Sequence, residues 1–132
     1  MTPCKILIID DDRDDVEILA DAFQQCGVDS VHYVYTAMEA FIYLETLLSR
    51  KDYPRLIITD MYIPGITAAE FLIDLKKMNP YKEIPVIVLS TSKAEREIEK
   101  ARLLGAESYL VKPNTYDEYM KVAGDIKSRV GL

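Results

Sequence analysis

Five short apolar runs alternate with five amphipathic stretches along this chain, and that alternation restricts the fold more than any single residue does. The runs are Lys5 to Ile9, Val31 to Tyr35, Leu56 to Thr59, Val86 to Leu89 and Ser108 to Val111. Four are continuously apolar, the pattern of strands buried on both faces, whereas Val31 to Tyr35 alternates around His32 as an edge strand does. Between them, Val16, Leu19, Ala20 and Phe23 recur at helical spacing up to Gly27. Thr36-Ala37-Met38-Glu39 is a capping box that opens a helix expected to bury Ala37, Phe41, Leu44 and Leu48, and Thr67-Ala68-Ala69-Glu70 opens another that presents Phe71, Leu75 and Met78, with a stop at Asn79-Pro80. Ser92-Lys93-Ala94-Glu95 is expected to cap a fourth helix facing inward through Ile98, Ala101 and Leu104. Asn114, with Asp117 three residues on, is expected to start a fifth carrying Tyr119, Val122, Ala123 and Ile126. Parallel strands need a crossover element, and the crossover is right-handed. The pattern therefore predicts an α/β fold, a doubly wound parallel sheet with helices on both faces.

Ligands of such sheets bind beyond the carboxyl ends of the strands. Asp10-Asp11-Asp12, Asp60, Ser90 with Thr91, and Lys112-Pro113 all fall there. Crowded carboxylates at the edge of a core repel one another and pay for desolvation, so a positive partner is required. Asp60 ends a buried strand and serves as a nucleophile toward a phosphoryl group only if the meeting of two anions is made tolerable. A hard divalent cation held by Asp10, Asp11 and Asp60 does this, and magnesium suits an all-oxygen site. Lys112 supplies a point charge and Ser90 a hydrogen bond for phosphoryl oxygens. Taken singly, Asp10, Asp11 and Asp12 also read as solvated loop acids or as charges at a helix N-terminus. For Asp12, Asp14 and Asp15 that is the better account, with Asp12 as an N-cap.

Composition narrows the classes. The 132 residues, 49% hydrophobic and 29% charged, describe one ordinary domain, 1–132, with no output domain expected. No apolar run approaches the ~20 residues of a membrane span, and Met1 to Lys5 leads directly into a strand, so a cytoplasmic location is expected. A net charge of −6 opposes direct nucleic-acid binding, and a protein partner is expected instead. Cys4 and Cys26 read as small packing residues, with a bridge between them an alternative under oxidation.

From Lys5 to about residue 128 the chain resembles the response-regulator receiver family of two-component signalling. The resemblance rests on the acid pair after strand one, Asp60 to Pro64 after strand three, the hydroxyl after strand four and Lys112-Pro113 after strand five. It implies a five-stranded flavodoxin-like sheet of order 2-1-3-4-5 with five helices. It implies Asp60 as phosphoacceptor, acting with Ser90 and Lys112. It further implies Mg2+ on Asp10, Asp11, Asp60 and the Tyr62 backbone carbonyl, with Asp11 the more direct ligand. A histidine kinase or histidine phosphotransfer protein is the implied donor, and an unidentified protein is the implied downstream target, with no membrane insertion. Tyr109 is implied as the switch residue of the face made by helix four, strand five and helix five. The resemblance also implies that Tyr62 and Ser92 stand at the positions that tune acyl-phosphate lifetime, and that the Lys112-Pro113 bond is cis. The chain departs from the family pattern at Ile63, Ala68 and Thr91, where Met, Gly and a smaller residue are commoner. Lys93, Glu95, Arg96, Glu97 and Lys100 on helix four read as a solvated mixed-charge face. His32 reads as a surface or packing residue, and Tyr33, Tyr35, Tyr43 and Tyr53 as rim or core aromatics.

Two other functions compete. In a phosphatase of the haloacid-dehalogenase type Asp10 would be the nucleophile of Asp10-x-Asp12, but Asp14 stands where that motif has Thr or Val. A phosphorylation-independent receiver-like scaffold would have no use for the intact acid pair, Asp60, Ser90 and Lys112.

Overall fold

The structure is a computed structural model that describes residues 4–132. Met1 to Pro3, read above as leading into the first strand, lie outside the described residues. Strand β1 (Ile6–Ile9) is followed by α1 (Arg13–Gln25), β2 (Val31–Val34), α2 (Ala37–Glu45), β3 (Leu56–Thr59), α3 (Ala68–Lys77), β4 (Val86–Ser90), α4 (Glu95–Leu103), β5 (Ser108–Val111) and α5 (Tyr116–Val130). The five strands are parallel in the order β2-β1-β3-β4-β5. Registers such as Ile8↔Ile58 and Ile58↔Ile87 run straight across the centre.

Strand side chains alternate between faces, so one strand feeds two cores. Ile6 and Ile8 of β1 join Ile58, Phe23 of α1 and Tyr119, Ala123 and Ile126 of α5. Leu7 and Ile9 join Ile57, Leu44 of α2 and Phe71, Leu72 and Leu75 of α3 on the opposite face. A smaller cluster of Met61, Ala68, Val88 and Ala101 seats α4. Burying a side chain such as Phe23 or Phe71 contributes roughly 1.5–3 kcal/mol, and both are fully enclosed.

The structure corrects several local expectations. Although its sequence is apolar, β5 is half-exposed, with Val111 38% accessible, because it is a sheet edge paired only with β4. Leu48 is 95% exposed, since α2 ends at Glu45 and the helical phase stops there. Ser92 does not cap α4. Its Oγ accepts from the N–H of Ala94, two residues on, and Ala94 occupies the cap position with no side-chain bond. Helix α5 is capped by Thr115, whose Oγ1 accepts from the N–H of Glu118, one residue later than the Asn114–Asp117 pairing predicts. The boxes at Thr36–Glu39 and Thr67–Glu70 form as read. Asp12 caps α1, accepting from the N–H groups of Asp14 and Asp15.

Candidate functional site

Asp10, Asp60, Ser90 and Lys112 are brought to the carboxyl edge of the sheet by the ends of β1, β3, β4 and β5. Backbone bonds continue the sheet into these residues. The N–H of Asp10 donates to Val34 O at 3.1 Å, that of Asp60 to Ile9 O at 3.1 Å, and that of Lys112 to Ser90 O at 2.8 Å. The functional side chains therefore start from rigid backbone, although three of them lie one residue beyond a strand.

The Lys112 ammonium is the centre of the site, its side chain only 5% accessible. Nζ lies 2.8 Å from Asp10 Oδ2, 2.7 Å from Asp15 Oδ2 and 2.9 Å from Asp60 Oδ2. Burial alone would drive its pKa down, but the bonds to three carboxylates outweigh burial and hold it above the usual lysine range. Asp10 is 6% accessible, and its burial raises the carboxyl pKa despite the bond to Lys112 and one accepted from the N–H of Asp12. An anion so poorly solvated gains from a second cation. Asp10, Asp11 and Asp60 each offer a carboxylate oxygen, all within 4.8 Å of one another, and Asp11 stands exposed at the rim. Three hard oxygen donors without nitrogen or sulfur fit Mg2+ or Mn2+.

Asp60 Oδ1 accepts from the N–H of Met61 at 2.6 Å, which orients the carboxylate, and the side chain keeps 17% of its surface open. Ser90 is buried, its Oγ accepting from the N–H of Ser92 at 3.3 Å. Ser92 O in turn accepts from the Tyr109 hydroxyl at 2.8 Å, so Ser92 links Ser90 to Tyr109 through its own backbone. Tyr109 is half-buried against the cluster of Met61, Ala68, Val88 and Ala101. Tyr62 projects from the loop after β3, 57% exposed, and its hydroxyl hydrogen-bonds to Glu97 of α4, which raises the phenol pKa. Pro64-Gly65 makes the turn of a short antiparallel ribbon, Tyr62–Ile63 with Ile66–Thr67. Gly65 takes a φ of 92°, which supplies the left-handed residue of that turn and leaves Ala68 as an ordinary buried first residue of α3. Ile63 is buried in the α3 core and Thr91 is exposed.

One expectation fails and one residue was missed. No peptide bond among the described residues is cis, so Lys112-Pro113 is trans, and the lysine is aimed by its backbone bond to Ser90 and by the three carboxylates. Asp15, read above as a helix-start charge, is a direct partner of Lys112. Helical spacing carried a signal, because Asp15 heads the stripe that continues through the buried Leu19 and Ala22. His32 sits on β2 opposite Leu7, stacked on Tyr43 with ring centroids 4.1 Å apart, and makes no bond to the cluster's carboxylates. Cys4 and Cys26 are both free thiols, each donating to a nearby carbonyl.

A family model described as the response regulator receiver domain matches residues 6–123. The probable methanogenesis regulatory protein FilR2 of Methanothrix harundinacea is 25% identical over 95% of this chain and 82% of its own length. The two-component response regulator ARR3 of Arabidopsis thaliana is 33% identical over 82% of this chain, which spans 49% of that protein. ORR1 of Oryza sativa is 32% identical, and the chain again spans 49% of its length. Among solved structures, the phosphorylated cyanobacterial phytochrome response regulator RcpA superposes with a TM-score of 0.83 at 28% identity, covering 96% of this chain and 93% of that one. The Mn2+-bound form of the response regulator Rcp1 gives 0.80 at 25% identity, with 96% and 93% covered. Among the described residues no helix is long and apolar enough to cross a membrane.

Proposed function

The chain belongs to the response-regulator receiver family of two-component signalling, and on that footing we propose that Asp60 accepts a phosphoryl group from a phosphohistidine on a partner kinase or phosphotransfer protein. The observation that carries this reading is the convergence of the buried Lys112 ammonium on Asp10 and the partly open Asp60. In the step, an Asp60 carboxylate oxygen attacks phosphorus, the P–N bond breaks as the O–P bond forms, and the imidazole departs. Lys112 donates to one phosphoryl oxygen and Ser90 to another, offsetting charge where it develops. Asp10, Asp11, Asp60 and the Tyr62 carbonyl would hold Mg2+, which when bound neutralises charge shared by the carboxylate and the phosphoryl oxygens. Attack of water on the acyl phosphate releases inorganic phosphate and restores Asp60. Tyr62, which is exposed, and Ser92, bonded through its N–H to Ser90, set how readily that water arrives.

Output follows from the hydrogen bonds around Ser92. For Ser90 to turn toward a phosphoryl oxygen, the contact its Oγ makes with the Ser92 N–H must loosen. The Ser92 carbonyl that receives the Tyr109 hydroxyl then moves with it. Tyr109 thereby shifts the population of the face formed by α4, β5 and α5, where a downstream protein docks without direct nucleic-acid contact.

Acetyl phosphate with Mg2+ should add one phosphoryl mass to the wild type and none to Asp60→Asn, and beryllium fluoride should perturb Tyr109 in the wild type alone. Wild type that acquires neither overturns the proposal. Hydrolysis of a small phosphomonoester abolished by Asp10→Asn but preserved in Asp60→Asn would instead support the phosphatase reading.

A further inference from the structure

We propose that Asp15 is a positioning residue for Lys112, keeping one of the ammonium's N–H bonds while the other two are given up during phosphoryl transfer; this rests on the function proposed above. An ammonium has three N–H donors. Here each has its own carboxylate, Asp10, Asp15 and Asp60, and the bond to Asp15, at 2.7 Å, is the shortest. The three acceptors are not equivalent. Oxygens of Asp10 and Asp60 belong with Asp11 to the group that can hold a cation, and Asp15 does not. Asp60 also becomes the esterified residue. A bound cation and a phosphoryl group thus both compete for the lysine's bonds to Asp10 and Asp60, while neither makes a claim on Asp15.

The anchor itself is well fixed. The backbone N–H of Asp15 donates to the Asp12 side chain in the first turn of α1, and the next residue, Val16, is buried in the core. Lysine carries a flexible four-carbon stem, so a charge used at one point in space must be pinned or spend its time elsewhere. Asp15 gives Nζ a pivot, about which the ammonium turns from Asp60 toward a phosphoryl oxygen without leaving the site. The contact also ties α1 to the loop after β5 across 97 residues of chain.

The test compares wild type with Asp15→Ala, Asp15→Asn, Lys112→Ala and the double variant Asp15→Ala/Lys112→Ala. Phosphorylation by acetyl phosphate and Mg2+, followed by mass, should slow about tenfold in Asp15→Ala, since displacement of a catalytic group by a fraction of an ångström costs less than the ~hundredfold of a 1 Å error. Asp15→Asn keeps an acceptor oxygen and should recover most of that rate. In the Lys112→Ala background, loss of Asp15 should slow the reaction no further. A wild-type rate in Asp15→Ala, or an undiminished extra loss in the double variant, overturns the proposal. A second readout needs no phosphate: with saturating Mg2+ competing for the carboxylates of Asp10 and Asp60, the NMR signal of the Lys112 ammonium protons should persist in wild type and vanish in Asp15→Ala. Its persistence there also overturns the tether. Should wild type take no phosphate at all, the proposed function falls, and the ammonium signal still decides whether Asp15 holds Lys112.

Discussion

Tyr119 lies on the buried face of α5, where burial, followed by the nearby Asp15 charge, raises its phenol to about 12. The unfolded chain releases this proton near pH 10 while the native state keeps it, so between pH 10 and 12 the native state binds more protons and stability falls as pH rises. Tyr119→Phe should remove that contribution, flattening the alkaline decline by on the order of 2 kcal/mol across the window. Thermal unfolding of both proteins at stepped pH measures it, and parallel slopes would refute the assignment. Single residues also show where the sequence stops speaking. Asp12 and Asp15 look alike in a run of acids, yet Asp12 caps its own helix while Asp15 bonds to a lysine 97 positions away. The first bond is local and legible; the second exists only once β5 has taken its place at the edge of the sheet.

Local closure likewise explains which elements were read correctly. Thr36 and Thr67 cap as expected because hydroxyl, acid and backbone donor lie within four consecutive residues. Ser92 has the same spacing and fails: its hydroxyl turns to the N–H of Ala94, and its carbonyl is held by the hydroxyl of Tyr109, a contact from the neighbouring strand β5. The fifth strand is apolar enough for a sheet interior, and only the strand order makes it an edge. At α5 the competition between neighbouring caps is testable. Thr115→Ala should destabilise the protein by about 1 kcal/mol, because it orphans the N–H of Glu118. Asn114→Ala should cost less than about 0.5 kcal/mol, the range for a surface change outside any cap. Urea unfolding resolves the two, and equal losses would restore the earlier start of the helix.

Across the whole molecule, charge and fold are linked at the carboxyl edge. The chain carries a net charge of −6, and Asp10, Asp11, Asp15 and Asp60 gather around the single ammonium of Lys112. Folding therefore concentrates negative charge that the unfolded chain disperses, and any cation bound only by the native cluster stabilises the fold by mass action. Mg2+ should raise the unfolding midpoint, with a stabilisation of about 2.7 kcal/mol at a hundredfold excess over its dissociation constant. Sodium chloride of matched ionic strength should do much less, because screening acts weakly on a buried pair. Asp11→Asn, which removes the exposed donor, should abolish most of the Mg2+ effect while leaving the Lys112 bonds intact. The dependence on pH has a definite sign. Burial raises the Asp10 pKa, so on acidification its oxygen is taken by a proton earlier than that of an ordinary aspartate, and the Mg2+ increment should fade before acid unfolding begins. Calorimetric scans with and without Mg2+ at descending pH follow this directly. An increment that is unchanged in Asp11→Asn, or matched by sodium chloride, would mean that the acidic cluster acts only as a diffuse negative surface.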